Sequence, residues 1–304
     1  MSQLVKKIRT EAGDLPIDYN ALANLPELTT MFSNPNLLIN SDFRKPVNQR
    51  GQTTYVGQTT KIYTIDRWCL NTVSEGRTLD VLDGHIKFTN SSTETLGFFL
   101  QHFERRLAVD NYTITVNVKS VSGNVWVGNV LGESSQSVEW GHTKQFKLKQ
   151  GINKFTLSGE FIGLYFLADF SSNVELYWVK LEQGTNSTPF VHRLDGEEWE
   201  LCLRYYQTIY TRLLMCVYTV ERADGTYYFQ VPMRTTPRSI TVNSATYFDP
   251  ATAEFIAAGD TVANWGYITN KSALIRMDRN ANDTFVIGQC RNALVDLSID
   301  AEIY

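Results

Sequence analysis

The chain has 304 residues, a net charge of −4 and 12% aromatic residues, long enough for two domains each with its own core. No block of Lys and Arg exceeds a few residues, which argues against a nucleic-acid partner, because phosphate neutralisation needs a basic stripe. No run of about 18 apolar residues occurs, so no membrane-inserting helix is predicted.

Met1–Arg9 carries basic residues but no apolar run after them, unlike a secretory signal. Residues 1–35 form a separate arm with two prolines near its middle, Pro16 and Pro26, and little alternation. Asp18 is placed to cap a short helix over Tyr19–Leu25, which Pro26 would close.

From residue 36 to residue 193 the pattern is β. Ile86–Thr89, Leu96–Phe103, Tyr112–Val118, Val125–Val127, Phe146–Leu148, Asn153–Leu157, Gly163–Ala168 and Val174–Leu181 are short runs of β-formers bounded by Gly, Asn, Asp or Ser. Many short strands with frequent turn signals predict a jelly-roll-like β-sandwich. The Tyr112 run is the clearest, with Tyr112, Ile114, Val116 and Val118 expected on one face and Thr113, Thr115 and Asn117 on the other.

The period then changes. Trp199, Leu203, Tyr206 and Tyr210 recur at helical spacing, and Glu197, Glu198 and Glu200 come early. This predicts a linking helix over 194–212 with Asp195 as its N-cap. Residues 213–304 return to β as a second, smaller domain. A hairpin is expected from Leu213–Val220 and Thr226–Val231, turning at Ala223-Asp224-Gly225, and the last strand is expected to run to Tyr304. The fold class is therefore mainly β: a sandwich, one linking helix and a C-terminal β domain. No repeat of 20–50 residues suggests a solenoid or propeller.

Residues with chemistry are scattered. Cys69, Cys202, Cys216 and Cys290 show no CxxC spacing and read as reduced, buried thiols. His85, His102, His142 and His192 form no metal-ligand pair. Asp80 with Asp83, Asp169 with Glu175 and Asp278 with Asp283 are carboxylate pairs, but nothing sets them apart from loop acids. No nucleophile elbow, phosphate loop or dinucleotide fingerprint occurs. Sugar binding is a better match to the composition, since a flat aromatic ring stacks on a pyranose while polar neighbours bind its hydroxyls. Trp126 and Trp140, each set among small polar residues, are the first candidate platforms. Tyr227 and Trp265 in the second domain are alternatives. Core or interface roles compete with this reading at all four. Trp68 and Trp178 are expected in the core, and Trp199 in the seam of the helix.

Several short segments stand in a fixed order along the chain: Asn36-Leu-Leu-Ile-Asn-Ser-Asp-Phe43, Val47-Asn-Gln-Arg-Gly51, Tyr63-Thr-Ile-Asp-Arg-Trp68, Val179-Lys-Leu-Glu-Gln-Gly184, Thr188-Pro-Phe190, Leu201-Cys-Leu-Arg-Tyr-Tyr-Gln207 and Val231-Pro-Met-Arg-Thr-Thr-Pro237. Together they resemble the carbohydrate-binding-module-like domain of bacteriophage tail fibres and related receptor-binding virion proteins. Leu203 departs from that pattern, which commonly has Gln there. The resemblance implies a non-enzymatic virion protein, assembled in the host cytoplasm. It implies a homotrimer, attachment to other virion proteins through residues 1–35, and binding to host-surface glycan. It implies no obligatory cofactor, although such sandwiches often hold one structural Ca²⁺, and Asp42 and Asp66 resemble positions near the family's conserved strands. A purely structural head-fibre, baseplate or decoration protein is the alternative, and a polysaccharide depolymerase a third reading.

Overall fold

A computed structural model describes residues 7–10, 13–16, 33–58, 60–71, 75–131, 145–249, 254–259, 261–264, 267–280 and 285–303. In the arm, β1 (Lys7–Thr10) and β2 (Gly13–Pro16) pair as an antiparallel hairpin. The helix expected over Tyr19–Leu25 lies outside the described residues.

The next ten strands form one antiparallel sheet folded over itself. They are β3 (Thr54–Val56), β4 (Ile62–Tyr63), β5 (Cys69–Asn71), β6 (Arg77–Leu82), β7 (His85–Asn90), β8 (Gly97–Ser122), β9 (Val125–Val130), β10 (Gln145–Lys147), β11 (Gly151–Ala168) and β12 (Ser172–Gln183). The fold-over depends on two long strands. The first half of β8 pairs with β5 and with the second half of β11, while its second half pairs with the first half of β11 and with β12. Register shifts between Gly159 and Gly163 mark the bend in β11, since bulges turn a strand. One layer is thus β4-β5-β8-β11-β9-β10, and the other is β3-β6-β7-β12-β8-β11. The runs at Leu96–Phe103 and Tyr112–Val118, expected as two strands, are the two halves of β8.

Between the layers lies the main core, centred on Trp68, which is fully buried and stacks on Phe99 at 4.8 Å. Phe43, Phe88 and Phe166 complete the aromatic cluster around them. Tyr112, Ile114, Val116 and Val118 face inward, as the alternation predicts. Thr113 and Thr115, on the opposite face, are also buried. The segment after β12 crosses over them, so Thr113 Oγ1 donates to Gly184 O (2.8 Å) and Thr115 Oγ1 lies 2.9 Å from Ser187 Oγ.

The linking helix α1 covers only Asp195–Leu203, and β13 (Tyr206–Val217) follows at once. The helical spacing of Leu203, Tyr206 and Tyr210 is therefore coincidental beyond residue 203. Gln207 reaches back across this switch, donating from Nε2 to Leu203 O (3.0 Å). From residue 209 onward the strand alternates buried and exposed residues. Leu194, not Asp195, holds the N-cap position and makes no side-chain cap, while Asp195 is in the first turn.

The second sheet is antiparallel in the order β16-β15-β19-β13-β14-β18-β17. Its further strands are β14 (Arg222–Tyr228), β15 (Ser239–Asp249), β16 (Glu254–Ala257), β17 (Thr261–Asn264), β18 (Ser272–Asp278) and β19 (Cys290–Asp300). The sheet curls so that β15 meets β17. Its inner face buries Met215, Val217, Tyr247, Ile275, Met277, Val295 and Leu297. The hairpin turns at 218–221, not at Ala223-Asp224-Gly225, which lie inside β14. Gly225 is there for closeness. A Cβ at that position would collide with Met215 Sδ and approach Leu214 O to 3.0 Å. The last strand stops at Asp300 rather than running to Tyr304.

Cys69 and Cys202 are buried, as expected, but Cys216 and Cys290 are exposed. They sit on the open side of the second sheet, where alternation turns them away from the core.

Candidate binding groove

The ordered segments supply a polar framework within the sandwich and at its seam with the second sheet. Asn36 uses its side chain as a clamp: Oδ1 accepts from Leu38 N and Leu181 N, and Nδ2 donates to Val179 O. Asn40 Nδ2 donates to Val47 O and Asp66 O, both at 2.8 Å. Trp68 Nε1 donates to Asn40 O (2.8 Å). Lys180 and Glu182, both buried, form a 3.3 Å pair, and each also binds Thr188. Each of these five side chains, Asn36, Asn40, Trp68, Lys180 and Glu182, pairs with a polar group that would otherwise be costly to desolvate.

At the seam itself Arg67 Nη1 meets Glu302 Oε2 at 2.6 Å, with both side chains out of solvent. Arg67 also lies over the Tyr205 ring (3.6 Å), and Arg50 lies over the Tyr206 ring (3.8 Å). Arg50 and Gln49 hold Asp66. Burial pushes the Asp66 carboxyl up to about 7, with Arg50 pulling in the opposite direction. Burial likewise pushes His102 down to about 3, helped by Lys61 and Arg67, so this imidazole is neutral.

Next to this framework runs a groove of about 710 Å³ between the 40–48 loop and the start of α1. The loop is shaped by Asn40, whose φ of 54° places it in the left-handed region that Asn tolerates. Trp199, 42% exposed, lines the groove from the helix side. Three carboxylates line it, and each has a cation. Asp42 takes a fork from Arg44 (2.7 and 2.6 Å), Asp195 binds Lys45 (2.5 Å), and Glu198 binds Arg193 (3.1 Å). Lys45 holds the Asp195 carboxyl below the usual carboxylate range. Arg44 also lies 5.7 Å over Phe190, which stacks on Trp178 at 4.5 Å. The groove thus offers an aromatic ring among balanced, already paired charges. That suits an uncharged polyhydroxylated ligand, which can stack on the ring and share hydrogen bonds with the paired groups.

The sequence-derived platforms lie elsewhere. Trp126 is half-buried on β9, directly opposite Leu167, against a third apolar cluster containing Phe98 and Leu100. Tyr227 is 8% exposed and packs in the second core beside Phe229, whereas its neighbour Tyr228 is 73% exposed. Trp126 and Tyr227 belong to different sheets and form no common surface. Trp140 and Trp265 lie outside the described residues. Trp178, expected in the core, is only half-buried and stacks at the surface.

The sequence spacing of Trp199 predicts a place in a packing seam. The early end of the helix removes that seam, leaving only Cys202 and Leu203 buried on α1. With the helix ending at Leu203, Trp199 lies on its exposed side.

The calcium expectation at Asp42 and Asp66 is not met by their geometry. Each carboxylate is bound to an arginine, Arg44 and Arg50 respectively. Among the described residues no three His, Cys, Asp or Glu side chains converge as a metal site would require. The acid pairs are also dispersed into local roles. Asp80 accepts from Thr54, Glu175 binds Lys119 and His85, and Asp278 binds Arg222. Asp283 lies outside the described residues.

No family model matches the chain, and no curated protein matches it. Among solved structures, wild-type discoidin II from Dictyostelium discoideum aligns at 10% identity over 73% of this chain and 82% of its own, with a TM-score of 0.21. The native structure of recombinant discoidin II from the same organism aligns at 8% identity over 72% and 82%, with a TM-score of 0.18. At these scores neither alignment carries an argument about this chain.

Proposed function

We propose that the chain is a non-enzymatic bacteriophage virion protein, a tail fibre or receptor-binding protein, that grips a host-surface glycan in the groove beside Trp199. The observation that carries the binding reading is that exposed indole, set in a 710 Å³ groove whose three carboxylates are all paired with cations. The same pairing favours binding over hydrolysis. A glycoside hydrolase needs one carboxyl held protonated and another left uncommitted to attack or activate water, and here each acid is engaged. The virion assignment rests on the ordered segments, with residues 1–35 as the arm toward other virion proteins and a homotrimer as the assembled form.

A different observation favours the structural alternative, a fibre or decoration protein without receptor contact. Tyr210, Leu214 and Tyr228 stand more than half exposed on the open face of the second sheet. Grouped exposed apolar residues mark interaction surfaces, and the occupant this reading commits to is another copy of the chain.

The test is retention of purified protein on an array of bacterial surface glycans, with released sugar measured in parallel. Retention without product, lost in Trp199→Ala, supports glycan binding in this groove. Retention with product supports a depolymerase. A soluble oligomer with no retention supports the structural alternative.

A further inference from the structure

Two exposed cysteines stand side by side on the open face of the second sheet. Cys216 on β13 and Cys290 on β19 are direct partners in the antiparallel register. Their Sγ atoms are 3.9 Å apart.

The ladder shows which kind of pair this is. Val217 N donates to Gln289 O (2.9 Å), and at the other end Ala301 N donates to Tyr205 O (2.7 Å). The odd-numbered residues of this stretch therefore make the hydrogen-bonded pairs, and Cys216 with Cys290 falls on a non-hydrogen-bonded one. At such a pair the Cα atoms approach to about 4.5 Å and the side chains come closest. A disulfide accepts Cα separations of about 4.4–6.8 Å. Side-chain rotation alone can then bring the sulfurs to about 2.05 Å, without moving either strand. On its other side Cys216 faces Asp224, whose charge is engaged by Arg276 at 3.2 Å. The other two cysteines, Cys69 and Cys202, are 1% and 0% exposed and cannot compete for an oxidant.

We propose that Cys216 and Cys290 are a reversible dithiol–disulfide site that exchanges with a low-molecular-weight disulfide such as oxidised glutathione. One thiolate attacks a sulfur of the glutathione disulfide, breaking its S–S bond and expelling one glutathione thiolate. The neighbouring cysteine, as thiolate, attacks the protein sulfur of the mixed disulfide and expels the second glutathione. The two protein thiols give up two protons and two electrons, and one glutathione disulfide becomes two glutathione thiols. The product staples β13 to β19, strands that the chain reaches 74 residues apart. The site is independent of the Trp199 groove.

The test is incubation of the full chain with excess oxidised glutathione, followed by native thiol counting and peptide mass mapping. The native reduced protein is expected to show two reactive thiols and the oxidised protein none. The mass should fall by about 2 Da, with the Cys216 and Cys290 peptides joined. Cys216→Ser should instead gain about 305 Da, one glutathione on Cys290. Its thermal midpoint, matched to the reduced wild type, shows that the exposed substitution keeps the fold. Stable glutathione adducts on the wild type, disulfide-linked dimers, or thiols that stay unreacted would each overturn the proposal.

Discussion

Arg67 and Glu302 form a buried ion pair across the seam between the sandwich and the second sheet, 2.6 Å from Nη1 to Oε2. The pair joins the Asp-Arg-Trp segment to the residues just after β19, 235 positions later. Burial pulls the Arg67 guanidinium down, but Glu302 together with Tyr205 and Tyr63 outweighs it and leaves its pKa raised.

Removing one partner should therefore be expensive. Glu302→Gln leaves Arg67 without its counter-charge and also deprives Arg50, 3.8 Å away. The expected loss is about 3–5 kcal/mol, as for other buried pairs broken on one side. Urea unfolding measures it. Breaking the exposed Arg44–Asp42 pair by Arg44→Ala should cost less than about 1 kcal/mol in the same assay.

Asp66 gives a pH dependence of definite sign. Its folded-state pKa is pushed up to about 7, chiefly by burial, whereas an unfolded Asp titrates near about 3.9. Between those values the unfolded chain releases this proton and the folded chain keeps it. This group therefore makes stability fall as pH rises from about 4 to about 7, by at most about 1.4 kcal/mol per pH unit. Outside that window its slope vanishes. Asp66→Asn should remove it, so the stability of the variant relative to wild type should improve from pH 5 to pH 7. Denaturation at the two pH values checks this, and a constant difference would contradict it.

Gly225 tests the packing of the second domain. Gly225→Val places a branched side chain against Met215 Sδ and Leu214 O, and overpacking of this kind costs about 1–3 kcal/mol. Thr226→Val, at the neighbouring exposed position of the same strand, should change stability by less than about 0.5 kcal/mol. The two thermal midpoints distinguish the cases.

What could be read from the sequence follows from how local each signal was. The inward positions Tyr112, Ile114, Val116 and Val118 and the aromatic Trp68 report burial directly, and all are found where expected. The segments around Asn36, Asp66, Lys180 and Gln207 are legible as a set because each supplies a side chain to a buried polar contact. The end of α1 was not legible. Tyr206 and Tyr210 fit a helical period by chance, and their strand depends on pairing with β19, some ninety residues later. The same long-range pairing brings Cys216 to Cys290, which no local spacing announces. Trp199 is hidden by that overextended helix, because its exposure depends on where α1 ends.

The most direct measurement is binding of the purified protein to intact candidate host cells, comparing wild type with Trp199→Ala and Trp126→Ala at matched thermal midpoints. Wild type is expected to bind, and Trp199→Ala to lose at least tenfold in affinity, a loss of about 1.4 kcal/mol. Trp126→Ala, altered away from the groove, should bind like wild type. Undiminished binding by Trp199→Ala, or loss confined to Trp126→Ala, would contradict the assignment of the groove.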